Sequence, residues 1–254
     1  TASQKIRLVT DLAPFTVASI TPVIVDPETL FLILDVSAQF NSNLTTLASD
    51  DLQGTITNTL TNFNNNSLKT FNSAFRHSQV TKLIDDSDTS LTSNITRVVL
   101  GKFFTPTLNE SVGYTISFNN VIFNPHAGHN TNEGGVIAST GFKVSGDTVN
   151  EMFLDEDGFG NIRRFYILAG EKKYVDNTAG TVNYGNGILS LNPLTINQVS
   201  DVDNTSSTQI RITTIPDSVD IIPVRNQLLE IDLVNTVVNV AIDRLGVGDI
   251  NTVN

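Results

Sequence analysis

The chain has 254 residues, 26 acidic against 15 basic, for a formal net charge of −11. That balance repels a phosphate backbone and no block of Lys or Arg offsets it, so nucleic acid is excluded as a partner. Cys is absent, which removes disulfides, thiolate metal sites and thiol nucleophiles together and suits assembly in a reducing cytoplasm.

A usual domain size of roughly 100–200 residues predicts two domains at this length. Residues 1–19 read as a lead-in from a missing upstream segment, 20–105 as an α/β module and 106–254 as a β-rich domain. The only Met is Met152 and the chain opens at Thr1, which predicts a fragment of something longer. No apolar run approaches the roughly 20 residues that span a bilayer, and the first residues lack a signal peptide's regions, so no membrane partner is expected.

Residues 20–25 read as a short strand ending at Asp26 and Pro27. Residues 30–36 form a nearly continuous apolar run, the pattern of a strand covered on both faces, which calls for helices to cover it. Two follow. The first has Ser49 as N-cap, with Asp50 and Asp51 against the positive end of the helix dipole. Its apolar stripe is Leu52, Ile56, Leu60 and Phe63. Asn64, Asn65 and Asn66 stop it, because Asn side chains compete for backbone hydrogen bonds. A second helical stretch puts Leu68, Phe71 and Phe75 on one face and continues past a break at Ser78 through Val80, Leu83 and Ile84. Residues 85–88 close the unit and 95–104 return as a strand. The predicted fold class is therefore α+β, a strand-helix-helix-strand module followed by a mostly antiparallel β domain.

Beyond Pro106 the predicted strands are short and alternating. Tyr114, Ile116 and Phe118 share one face, residues 162–168 form another strand, and Val182 and Tyr184 meet Ile188 across the tight turn Gly185, Asn186, Gly187. Ile210 and Ile212 alternate with Gln209 and Arg211, Pro216 and Asp217 mark a turn, and Leu229, Ile231 and Leu233 alternate with Glu230 and Asp232.

Candidate chemistry is thin. Asp155, Asp157, Gly158, Gly160 and Ile162 imitate the start of a calcium loop, but Phe159 and Tyr166 stand where ligands are required, so a reverse turn between strands is expected. His126 and His129, beside Asn124 and Asn130 and with His77 far away in sequence, fall short of the three or four convergent ligands of a transition-metal site. There is no GxSxG elbow and no readable nucleophile-base pair. Glu151 with Asp155 offers two carboxylates without the Trp platform of a sugar site. Gly134 and Gly135 before Val136 lack the Lys and Ser or Thr of a P-loop. The sequons at Asn43 and Asn94 fit chance in an Asn- and Thr-rich chain. No catalytic residue, metal, cofactor or small-molecule substrate is assigned, and no enzyme is expected. Arg163, Arg164 and Arg225 are the cations suited to planar contacts with carboxylates, inside the fold or across a subunit boundary.

The segment RITTIPDSVDIIPVRNQLLEID (residues 211–232) resembles the C-terminal region of baseplate wedge proteins from contractile-tailed phages, a family related to baseplate J-like proteins. Pro223, Val224, Arg225, Asn226 and Gln227 carry that resemblance, with Glu230 and Asp232 following. ITPVIVDPE (20–28), FNSAFRHSQVTKLIDDSD (71–88), GGVIASTGF (134–142) and FLDEDGFGNIRRFYI (153–167) are similar to the same family in order and spacing. The resemblance implies a C-terminal fragment of the inner-ring wedge subunit, a structural protein of the virion tail assembled in the host cytoplasm. It further implies dimerisation, contacts with other wedge proteins and rearrangement on sheath contraction, with Pro223, Arg225, Asn226, Gln227, Glu230 and Asp232 as the structural or interface motif. The first alternative is a receptor-binding or adhesin β module of a virion or cell surface, and the second a metal-dependent hydrolase built around His126, His129 and acidic loops.

Overall fold

The computed structural model describes residues 2–15, 24, 27–129, 135–202 and 206–244. The strand expected over residues 20–25 lies outside them except for residue 24, which has no regular structure. Within the expected lead-in, Ala2–Leu12 form helix α1, with Ile6 and Leu8 exposed.

Strand β1 (Glu28–Phe40) organises the first half of the chain. Leu30, Leu32, Leu34 and Val36 alternate along one face and are wholly buried. Burying each such side chain contributes roughly 1.5–3 kcal/mol, so this face anchors the fold. The expectation of two covered faces is corrected: Phe31 and Ile33, on the other face, are only half-buried. Helix α2 (Ser49–Phe63) lays Leu52, Ile56, Leu60 and Phe63 into the core as its spacing predicts. Its N-cap is Ala48 rather than Ser49, and the Asp51 carboxylate accepts the Ala48 N–H at 3.1 Å.

The Asn cluster does more than end the helix. The chain passes into a π-helical turn (Asn64–Leu68), and Asn64 is buried. Asn64 Oδ1 accepts the N–H of Ile231 at 2.8 Å, and Nδ2 donates to its carbonyl at 3.4 Å. One side chain thereby satisfies both backbone groups of a residue 167 positions away. Asn64→Ala orphans them, and an unsatisfied buried backbone group costs roughly 1–3 kcal/mol. Chemical denaturation of the variant should show a midpoint loss on that scale, whereas Asn65→Ala, which is exposed, should show little.

The second predicted helix is corrected at its start. Asn72 adopts φ 63°, a left-handed conformation that Asn tolerates and a helix does not. Phe71 is exposed, and Phe75 is fully buried through an isolated bridge to Ile221. Helix α3 (His77–Asp85) begins only afterwards. Its N-terminus is capped from a distance by Asp220, whose carboxylate accepts the His77 N–H at 2.9 Å and meets Arg76 Nη1 at 2.9 Å. These donors hold the Asp220 carboxyl below the usual carboxylate range. Strand β2 (Leu91–Phe104) then returns antiparallel to β1.

The remaining strands are β3 (Ser111–Ser117), β4 (Ile137–Ser139), β5 (Phe142–Val144), β6 (Asp147–Glu156), β7 (Asn161–Leu168), β8 (Glu171–Asn183), β9 (Ile188–Val199), β10 (Ile210–Thr214), β11 (Gln227–Ile231) and β12 (Val237–Ile242). The first sheet runs β11-β1-β2-β10-β4. β11 pairs parallel with the first half of β1 and β12 with its second half, so the two form one interrupted edge. Asp232 N–H donates to the Leu32 carbonyl and Leu34 N–H to Thr236 Oγ1 across the interruption. The second sheet runs β3-β9-β5-β6-β7-β8, and β8 pairs back onto β9, closing a small barrel. Most pairings are antiparallel, as the α+β reading predicts. The β8–β9 connection is longer than expected, with Tyr184 inside the loop and Gly187 N–H donating to the Asn183 carbonyl. Gly187 has φ 67°, and a Cβ there would collide with the Asn120 carbonyl, so only glycine fits.

Candidate assembly surface

The motif residues line the approach to β11. Pro223 is half-buried, and Val224, Arg225 and Asn226 are exposed in a turn closed by Gln227 N–H donating to the Val224 carbonyl at 2.9 Å. The Asn226 carbonyl accepts Glu28 N–H, which starts the β1 pairing. Gln227 is buried and its Nε2 donates to the Phe118 carbonyl at 3.2 Å, tying β11 to the end of β3. Glu230 pairs with Lys69. Asp232 accepts the Asn235 N–H at 3.1 Å and its amide at 2.7 Å. Gln227, Glu230 and Asp232 are therefore engaged within the fold, and the exposed part of the motif is Val224, Arg225 and Asn226. Near them in sequence, Val219 and Ile222 are also exposed.

A groove of about 770 Å³ opens where β1 begins and β2 ends, flanked by Ile116 on β3 and by Asp232 and Val234. Three aromatic rings, Phe31, Phe103 and Phe104, line it. Phe31 and Phe103 meet edge to face with centroids 5.0 Å apart, and Phe104 packs on Tyr114 at 4.8 Å. A hollow of about 230 Å³ adjoins it, sharing Phe103, Gln209, Val234 and Asn235. Lys102 Nζ, largely buried, reaches Glu28 at 3.1 Å. A concavity lined by aromatic rings and polar groups together is suited to a contact surface. No histidine lines the groove.

The barrel holds a buried polar hub that sequence reading missed. Asp155 is 2% exposed and takes Arg163 Nε at 3.0 Å, Lys172 Nζ at 2.9 Å and the Tyr174 hydroxyl at 2.8 Å. The β6–β7 register sets this up by placing Asp155 directly opposite Arg163. The Arg163 guanidinium also donates to the Glu156 carbonyl and lies 4.3 Å over the Tyr174 ring. Glu156 accepts the Val136 and Ile137 N–H groups. Arg163 thus serves the fold, and Arg164 reaches Asp176 at 4.0 Å.

Burial first, then the hydrogen bond to Asp155, pushes the Tyr174 phenol up to about 12. Burial, with the charges of Glu156 and Asp157, raises Tyr184 to about 12 as well. The folded chain holds both protons more tightly than the unfolded chain, whose tyrosines titrate near 10. The linked stability is complete below about pH 10 and is lost as pH rises through the folded values. Tyr174→Phe and Tyr184→Phe should each remove one late-ionising phenol from an ultraviolet titration. An unchanged titration in both variants would contradict the assignment.

The calcium-like string is a reverse turn. Asp157 accepts the Phe159 and Asn161 N–H groups and the Asn161 amide. Burial works to raise its pKa, but these donors outweigh it and hold the carboxyl low. His126 and His129 lie exposed in a loop with His129 Nδ1 3.3 Å from His126 Nε2. His77 instead contacts the Thr96 carbonyl at 2.8 Å. Among the described residues, no group of three His, Asp or Glu side chains converges on a metal position. Glu151 is exposed while Asp155 is buried. Four residues apart on one strand they are about 13 Å apart along it, beyond the span of paired glycosidase carboxylates. Asn94 donates to the Thr81 carbonyl and to Asp85, so its amide is engaged.

Fold and surface together define an α+β protein with a surface groove suited to contact. Residues 28–102, from β1 through β2, match the family described as baseplate structural protein gp6, C-terminal domain III. The match supports a structural role in a phage baseplate. No curated protein matches the chain.

Proposed function

We propose that this chain is a structural subunit of a phage tail baseplate wedge, resident in the virion tail. It pairs with a second copy of itself and with other wedge proteins, joins wedges into the inner ring, and shifts between packings when the sheath contracts. The family match over the β1-α2-α3-β2 module carries this reading. Of the strands completing that module's sheet, β11 and all but the first residue of β10 fall in residues 211–232, and β4 falls in residues 134–142, two of the segments whose sequence resembles the wedge family. An obligate pair needs an interface of roughly 2,000 Å² or more, able to exist in two arrangements. The exposed turn at Val224 and Arg225 and the groove lined by Phe31, Phe103 and Phe104 supply candidate surface for it. In a closed ring each further contact is intramolecular, so modest affinities sum to a durable assembly.

Arg225→Glu and Val224→Asp test the reading, since both residues are exposed and neither change disturbs the core. Sedimentation should show weakened self-association for both and none of that effect for Val149→Asp, on the exposed part of β6. Unaltered association in the two motif variants would remove this turn from the interface. A chain that stays monomeric and binds glycan would favour the adhesin reading instead.

A further inference from the structure

We propose that His126 and His129 form a chelate for a borderline divalent transition-metal ion, of the class of Zn²⁺ or Ni²⁺. The inference stands independently of the baseplate reading. Two imidazole nitrogens face each other across 3.3 Å, with the rings nearly perpendicular at 82°. Two ligands of a tetrahedral ion, each at about 2.0–2.1 Å, are separated by about 3.3–3.4 Å. The pair already stands at that separation.

The surroundings hold the two rings in place. His126 Nδ1 lies 3.2 Å from the Ala127 carbonyl, which assigns its proton to Nδ1 and leaves the Nε2 lone pair aimed at His129. His129 N–H donates to the His126 carbonyl at 3.2 Å, closing a tight turn. Gly128 N–H donates to the Gly158 carbonyl at 3.0 Å, fastening the loop to the β6–β7 turn. Phe123 packs edge-on against His129 at 5.4 Å. Without metal, His129 Nδ1–H donates into the His126 lone pair. With metal, the His129 proton moves from Nδ1 to Nε2 and both lone pairs bind the ion. Both rings stay neutral and no net proton is released. Borderline ions suit imidazole, whereas Ca²⁺ and Mg²⁺ require oxygen ligands. Both imidazoles are exposed, so the remaining coordination positions open outward to water or to a neighbouring chain.

Calorimetric titration of the intact chain with Zn²⁺, and separately with Ni²⁺, tests the proposal. One ion should bind per chain. His126→Ala and His129→Ala should each weaken binding by about tenfold or more, because the chelate is lost with its first arm, and the double variant should bind no ion at this site. His77→Gln should bind as the unaltered chain does. X-ray absorption of the loaded protein should place two imidazole nitrogens on the ion, a readout that does not depend on any variant's folding. The proposal is overturned if the unaltered chain takes up neither ion in stoichiometric amount. It fails equally if either single variant binds as tightly as the unaltered chain, or if absorption finds fewer than two imidazole ligands.

Discussion

Asp155→Ala should destabilise the chain by about 3–5 kcal/mol, the cost of breaking a buried ion pair from one side. Asp155 and Arg163 are 2% and 7% exposed at their side chains, so the stranded guanidinium finds little water. Lys172 and Tyr174 lose the same carboxylate. Lys172 is a third exposed and recovers hydration, whereas Arg163 does not. Asp155→Asn keeps the shape but not the charge and should fall between the unaltered chain and Asp155→Ala. Joint replacement of Asp155 by Leu and Arg163 by Met should cost less than Asp155→Ala alone, because removing both charges removes the desolvation penalty. Denaturant midpoints for the four proteins check this, and a double variant that costs as much as Asp155→Ala or more would contradict it.

Phe75→Ala should cost about 3–5 kcal/mol, the range for a fully buried Phe whose cavity collapses only in part. Phe75 is 0% exposed and its backbone exchanges both hydrogen bonds with Ile221, itself 0% exposed. The contact joins the α2–α3 connection to the segment that leads into β11. Its loss should therefore loosen both together, and hydrogen exchange should rise at Ile221 as well as at residue 75. Phe71→Ala is the natural comparison: the same residue type four positions earlier is 61% exposed and should change the midpoint by no more than about 0.5 kcal/mol.

Local periodicity revealed the elements and hid their partners. Leu52, Ile56, Leu60 and Phe63 repeat at helical spacing and form the buried stripe of α2. Leu229 and Ile231 alternate and form β11. What periodicity could not give is that β11 and β12 pair parallel with β1 about 200 residues earlier, because strand partners are chosen by the assembled core. For the same reason Asn64 read as a helix stop although it satisfies Ile231, and Asp220 read as nothing although it caps α3. Phe71 and Phe75 share a helical face in sequence, yet the left-handed Asn72 separates them into an exposed and a buried ring. Of the candidate site, the polar string at 155–162 was correctly legible as a turn because Asp, Gly and Asn carry local turn geometry. The hub centred on Asp155 was not, since Lys172 and Tyr174 reach it from β8.

The most direct test of the assembly account is the mass of the unaltered chain in solution. Multi-angle light scattering at tens of micromolar, roughly the range where a standard-sized interface is populated, should report a self-associated species. A mass equal to one chain, unchanged as concentration rises, would contradict it.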